Sequence, residues 1–139
     1  MDIFLSINNR EQVIQLPIVP SEIEIPSPQK HEVFETLNLG DIALIGPKGL
    51  KQFSFSSFFP AQPYPFSRDT KYMGWEYVEM IEAWRERDLP MRIVITGTPI
   101  NMAFIIDDFE YGTKHGSKDI YYTLSISEFA MLRFGLRGV

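Results

Sequence analysis

The sequence predicts an α+β domain, an antiparallel β-sandwich or small barrel with one flanking amphipathic helix. Three observations point there. Apolar and polar residues alternate along most of the chain, short polar or Gly/Pro turns join the alternating runs, and a single segment switches to helical spacing. Alternating runs joined by short turns pair as antiparallel hairpins. Strands both before and after one helix give a mixed class, not a parallel βαβ array. With 139 residues the chain is long enough for one real core, so residues 1–139 read as a single domain.

The first elements are a hairpin. Ile3, Leu5 and Ile7 share one face, and the pattern resumes at Ile14, Leu16 and Ile18 after the turn Asn8-Asn9-Arg10-Glu11. Pro17 and Pro20 end the second run or put it at a sheet edge. Glu22-Ile23-Glu24-Ile25 alternates again and is expected as a short strand stopped by Pro26-Ser27-Pro28. A strand is expected around Glu32 to Leu37. Asp41 to Ile45, bracketed by Gly40, Gly46-Pro47 and Gly49, reads as strand or structured loop.

Phe53 to Phe58 follows as an aromatic strand, with Phe53 and Phe55 on the face opposite Ser54 and Ser56. Trp75 to Arg87 then places Tyr77, Val78, Ile81 and Trp84 on one helical stripe, with Glu76, Glu79, Glu82, Glu86 and Arg87 covering the rest. Gly74 stands at the N-cap position, and Asp88-Leu89-Pro90 stops the helix because the residue before proline is pushed out of the α region.

Met91 to Thr96 is apolar on both faces around Ile93, Val94 and Ile95, as expected of a central covered strand. Ile100, Met102, Phe104 and Ile106 alternate over a long strand, but Phe109 and Tyr111 have the opposite parity. A β-bulge or sharp bend at Asp107-Asp108 would reconcile the two halves. Gly112 to Lys118 is a polar hairpin loop, and Ile120, Tyr122, Leu124 and Ile126 return as the clearest strand. Glu128 to Val139 keeps apolar residues but loses the alternation.

Composition excludes several functions. The net charge of −5 argues against a general nucleic-acid or anionic-membrane binder, which needs a basic excess. Lys48 with Lys51 and Arg133 with Arg137 read as solvated loop charges. The absence of cysteine removes disulfides, thiolate metal sites and cysteine nucleophiles together. The N-terminus carries Asp2 in place of a basic n-region, which makes a poor signal peptide, and no apolar run approaches the ~20 residues of a spanning helix. The chain reads as soluble.

A catalytic constellation is hard to assemble. His31 and His115, the only histidines, have no second metal ligand at usable spacing and read as surface residues. Asp107, Asp108 and Glu110 are the densest acidic cluster, but adjacent strand residues face opposite ways. Gly46-Pro-Lys-Gly49 lacks the spaced glycines and the Lys-Ser/Thr pair of a phosphate loop. The expectation is a protein without catalytic activity, cofactor or metal.

The remaining prospect is an aromatic segment that either plugs the end of a core or meets a partner, and composition and spacing do not say which. Six aromatic rings crowd into Phe53 to Phe66, and Pro60, Pro63 and Pro65 stiffen the second half of that segment. Phe53 to Phe58 is read as a core strand, and the Pro60–Phe66 arm stays open between core and partner contact. Phe58, Phe59, Pro60, Tyr64, Pro65, Phe66 and Trp75 are the candidate interface residues, although Trp75 and Trp84 by themselves favour the core.

Four segments in order carry a family likeness: Leu5-Ser-Ile-Asn-Asn-Arg10 with Gln15-Leu-Pro17; Phe53-Ser-Phe-Ser-Ser-Phe-Phe-Pro-Ala-Gln62 with Tyr64-Pro-Phe66; Arg92-Ile-Val-Ile-Thr-Gly97; and Asp119-Ile-Tyr-Tyr-Thr-Leu-Ser-Ile-Ser-Glu-Phe129. Together they resemble the N-terminal domain of the LysM-bearing tail proteins of contractile phages and PBSX-like defective prophages. The resemblance covers nearly the whole chain, and the Phe53–Gln62 run is its most specific part.

The resemblance implies a tail-tube-like fold and a structural baseplate role, adapting the tail tube to the central hub and spike. It implies six copies around the tail axis, other tail proteins as partners with the Pro60–Phe66 arm as the place of contact, synthesis in the bacterial cytoplasm and incorporation into a phage tail or tailocin particle. Family members usually continue into a LysM module, whereas this chain stops at Arg137-Gly138-Val139, so glycan binding inferred from LysM is not carried over.

An alternative from another class is a ligand-binding β-barrel or sandwich module that recognises a surface or small-molecule ligand through its aromatics. It requires a concave pocket lined by Tyr64, Phe66, Tyr72 and Trp75. A tail-associated hydrolase would need paired carboxylates that the sequence does not place.

Overall fold

The computed structural model describes residues 1–36, 40–48 and 50–129, with side chains described at 1–29 and 50–129. Strands β1 (Ile3–Ile7), β2 (Gln12–Gln15), β3 (Gln29–Thr36), β4 (Gly40–Lys48) and β5 (Gln52–Phe59) precede helix α1 (Trp75–Arg87). Strands β6 (Met91–Ile95), β7 (Asn101–Gly112) and β8 (Ile120–Glu128) follow it. Six strands form one sheet in the order β2-β1-β6-β7-β8-β5, and β3 pairs with β4 in a separate two-stranded ribbon. All pairings are antiparallel. The expected α+β class, antiparallel β with one flanking helix, is the observed one.

The sheet curls instead of lying flat. Its two ends approach each other where the Ser57 hydroxyl on β5 donates to the Ile18 carbonyl, just past β2, at 2.9 Å. The Arg68 N–H reaches the Pro17 carbonyl at 2.7 Å beside it. The concave face of this half-barrel holds the core, and α1 fills it.

Strand parity decides which side chains enter. Ile3, Leu5 and Ile7 lie opposite Ile95, Ile93 and Met91 across the β1–β6 pair, and Phe53 and Phe55 lie opposite Ile126 and Leu124 across β5–β8. All of these are buried in one cluster with Tyr77, Val78, Ile81 and Trp84 from α1. Each such side chain adds ~1.5–3 kcal/mol of apolar burial. The Trp84 indole N–H also donates to the Gln12 side-chain carbonyl at 2.7 Å, which ties the helix to β2.

The parity change along β7 is a bulge. Ile106 pairs with Ile126 and Asp108 with Ser125, so Asp107 is the extra residue. It lets both Phe104 and Phe109 face the core. The Ser127 hydroxyl donates to the Asp107 carboxylate and fixes the inserted residue.

The helix has the expected bounds. Gly74 precedes it at φ 49°, a left-handed value that glycine adopts without a Cβ penalty, and makes no side-chain cap. The Glu76 carboxylate instead accepts the Met73 N–H at 2.9 Å, just ahead of the helix. Asp88 ends the helix in the left-handed region.

Two expectations are corrected and one open reading is resolved. Glu22 to Ile25 forms no strand: Ile23 and Ile25 pack partly against the core, but the backbone there pairs with no neighbour among the described residues. Asp41 to Ile45, read as strand or structured loop, is strand: it belongs to β4, which continues through Gly46-Pro47 to Lys48. Strand β6 is central but not covered on both faces, since Arg92 is exposed and Val94 half-buried. The expected tail beyond Phe129, with Arg133 and Arg137, lies outside the described residues, as do the side chains of His31 and Lys48.

Candidate functional site

The structure divides the seven candidate interface residues. Phe59 is fully buried and is sandwiched between Tyr77, at 4.8 Å and 13°, and Tyr122, at 4.2 Å and 10°. Its parity is that of Phe53 and Phe55, so the strand turns it into the core. Pro60 is buried too, and its carbonyl accepts the Gly74 N–H at 2.7 Å. These two residues hold the root of the arm and are not surface contacts.

The other five form two surface clusters. In the first, the half-buried Phe58 meets Tyr64 edge-on at 6.2 Å and packs on Tyr121 at 5.5 Å. Tyr64 stacks on Phe66 at 5.0 Å with the rings nearly parallel, and the Lys114 ammonium lies 5.1 Å above the Tyr121 ring. Phe66 is 60% exposed.

A turn puts it there. The Ser67 N–H returns to the Tyr64 carbonyl at 3.0 Å, which places Pro65 at the position where its fixed φ suits a turn. Phe66 then stands at the tip.

The arm is fastened at both ends. Asp119, only 8% exposed, accepts the Ala61 N–H at 2.8 Å and the Tyr64 hydroxyl at 2.7 Å, one on each carboxylate oxygen. The hydrogen bond to this carboxylate raises the Tyr64 phenol above its ordinary range. Beyond the turn, the Arg68 guanidinium pairs with Asp2 at 3.5 Å. The stiff segment is therefore a built loop whose aromatic tip is displayed.

The second cluster stands at the start of α1. Trp75 is 50% exposed and meets Tyr111 of β7 at 5.9 Å and 84°. The loop between β7 and β8 separates the two clusters. Thr113 of that loop lines a cleft of about 510 Å³ with Phe58 and Tyr121 on one side. It also lines one of about 520 Å³ with Trp75 and Ala61 on the other.

The pocket required by the ligand-binding alternative is not assembled. Tyr72 turns its edge to Tyr77 at 5.7 Å, while Trp75 pairs with Tyr111, away from the Tyr64–Phe66 stack. His115 is exposed in the loop at φ 55°. Among the described residues, no group of three or more His, Cys, Asp or Glu is placed to hold a metal ion. No helix among them is long and apolar enough to cross a membrane.

Asp119, Tyr111 and Tyr121 are the residues that sequence reasoning missed. Tyr121 carried a signal in its parity, on the polar face of the last strand with Asp119, whereas Tyr111 shares the parity of the core residue Phe109 and so gave no sign of its exposure.

No family model matches the chain. A Bacillus subtilis (strain 168) protein described as uncharacterized protein YqbP is 34% identical over 118 residues, which cover 82% of this chain. The match takes in 52% of that protein, so the chain spans about half the length of this curated relative.

Among solved structures, a chain in the tail of an empty gene transfer agent particle, refined with C6 symmetry, superposes with TM-score 0.60 at 14% identity, covering 94% of this chain and 92% of that one. A chain of the native gene transfer agent virion gives 0.56 at 13% identity, again over 94% and 92%. One from the six-fold symmetrised baseplate of the anti-feeding prophage gives 0.50 at 10% identity, over 94% and 89%. The curled antiparallel sheet with helix α1 is thus a fold this chain shares with subunits of tail and baseplate particles.

Proposed function

We propose that this chain is a structural component of the baseplate of a contractile phage tail, tailocin or related injection system, joining the tail tube to the central hub or spike. The observation that carries the reading is the end-to-end match of its fold to chains built into a tail and a baseplate. The displayed aromatic tip at Phe66 and the half-exposed Trp75 supply surfaces suited to neighbouring subunits. Pre-ordering of the arm by prolines and by Asp119 supports the same reading, because less entropy is then lost on docking.

In this proposal six copies surround the tail axis, as the six-fold symmetry of the matched particles suggests, and the partners are other tail proteins. The chain is made in the bacterial cytoplasm, enters the particle, and acts by binding alone without a catalytic step.

Mass spectrometry of purified particles tests the proposal. The protein should appear at a fixed stoichiometry and cross-link to both tube and hub subunits. Its absence from intact baseplates would overturn the reading, and cross-links to the tube alone would remove the adaptor role.

A further inference from the structure

The corner between α1 and β7 has a chemistry of its own. Trp75 and Tyr111 stand nearly perpendicular, 5.9 Å apart, and both are substantially exposed. Two ring surfaces therefore border one open quadrant. Glu79, Glu82 and Glu86 follow Trp75 at i+4, i+7 and i+11, which puts all four on one stripe of the helix.

The Tyr111 hydroxyl donates to the Glu82 carboxylate at 3.3 Å, so the phenol is held against that stripe. Arg85 pairs with Glu82 at 2.9 Å, whereas Glu79 lines the adjoining cavity of about 520 Å³ with Met73, Ala61 and Lys118.

Electron-rich ring faces beside the Glu79 carboxylate, which has no ion pair among the described residues, attract a cation most strongly when it is partly desolvated. We propose that Trp75, Tyr111 and Glu79 receive an arginine or lysine side chain of a different protein, its apolar neighbours entering the cavity beside Met73. A second copy of this chain is a poor donor. Each copy carries a net charge of −5. Many of its described cations are also already engaged: Arg87 with Glu11, Arg68 with Asp2, Arg92 with Asn101, and Lys71 and Lys114 over tyrosine rings. The identity of the partner as a tail protein rests on the function proposed above; the corner itself does not.

The two tryptophans make the test direct, since Trp84 is buried and Trp75 is exposed. The probe is acetyl-Leu-Arg-Leu-Arg-Leu-amide, titrated at low salt while indole emission is followed, with the citrulline peptide as a neutral isostere. The arginine peptide should give a saturable shift that is absent in Trp75→Phe. The citrulline peptide, Tyr111→Leu and Glu79→Gln should each weaken it about three- to tenfold, with circular dichroism unchanged.

Equal binding of both peptides, or no saturable response, would overturn the proposal. So would an emission change that grows with protein concentration alone, which would assign the corner to a second copy. A photo-cross-linker at position 79 in purified particles separates the two readings. Peptide binding without the protein in particles sinks the tail role and spares the corner. A cross-link to a surface lacking basic residues sinks the corner and spares the tail role.

Discussion

The Tyr64 hydroxyl and the Ala61 N–H converge on the two oxygens of Asp119, at 2.7 and 2.8 Å, which latches the proline arm to the start of β8. Asp119 is nearly buried, so its removal would leave both donors without that partner. Hydrogen bonds to charged groups contribute ~1.5–3 kcal/mol each, so Asp119→Ala should cost about 2–4 kcal/mol and Asp119→Asn less. Urea denaturation measures the loss. Amide exchange should accelerate across residues 61–68 before the rest of the sheet, and an arm that stays protected would refute the latch.

Phe59 and Phe66 lie in one aromatic segment but do different things. Phe59 is stacked between two core tyrosines, so Phe59→Ala should destabilise the fold by about 3–5 kcal/mol. Phe66 is mostly exposed, so Phe66→Ala should change stability by less than about 0.5 kcal/mol. If the arm docks, Phe66→Ala in the intact protein should lower its incorporation into particles while its melting temperature stays put. Normal incorporation of the Phe66 variant would place the contact elsewhere.

The contrast between these two phenylalanines shows how far the sequence could be read. Spacing alone located the helix, because Tyr77, Val78, Ile81 and Trp84 repeat on one stripe and Asp88-Leu89-Pro90 terminates it. Parity alone located the bulge at Asp107. Phe59 was also legible, since it shares the parity of Phe53 and Phe55, but the proline that follows drew it into the candidate interface.

Glu22 to Ile25 misled for a deeper reason. Alternation records which side chains are buried, and Ile23 and Ile25 do reach the core, yet no backbone partner lies beside them among the described residues. The latch at Asp119 and the corner at Tyr111 were out of reach, because each joins residues from distant parts of the chain that only the folded sheet brings together.

Tyr77 should set an alkaline limit on stability. It is fully buried, and burial, reinforced by the charge of Asp69, pushes its phenol up from 10.0 to about 12. Between those values the unfolded chain releases a proton that the folded chain retains. Stability is therefore fully present below pH 10 and falls as pH rises toward 12. Burial raises Tyr122 in the same direction. Tyr77→Phe should flatten part of this alkaline fall, and Tyr77→Phe with Tyr122→Phe more of it, as measured by urea midpoints across the range. An unchanged slope in the double variant would show that other groups control it.

Glu11 and Arg87 give the opposite, acidic prediction. The turn after β1 runs through three left-handed residues, Asn8, Asn9 and Arg10, and brings Glu11 against the last turn of α1. There the Arg87 guanidinium grips both carboxylate oxygens, and the Asn8 side chain donates to one of them at 2.9 Å. These hydrogen bonds, Arg87 first, lower Glu11 from 4.5 to about 2. The folded chain then stays ionised where the unfolded chain binds a proton. The contribution is present above pH 4.5 and is lost as pH falls toward 2.

The pair is exposed, so salt should weaken it. Carbon-detected NMR of the Glu11 carboxyl should show titration near the low value. Arg87→Gln should return it most of the way toward 4.5, with the remaining depression due to Asn8. A Glu11 titration unaffected by that substitution would mean that the hairpin turn holds its carboxylate without the helix.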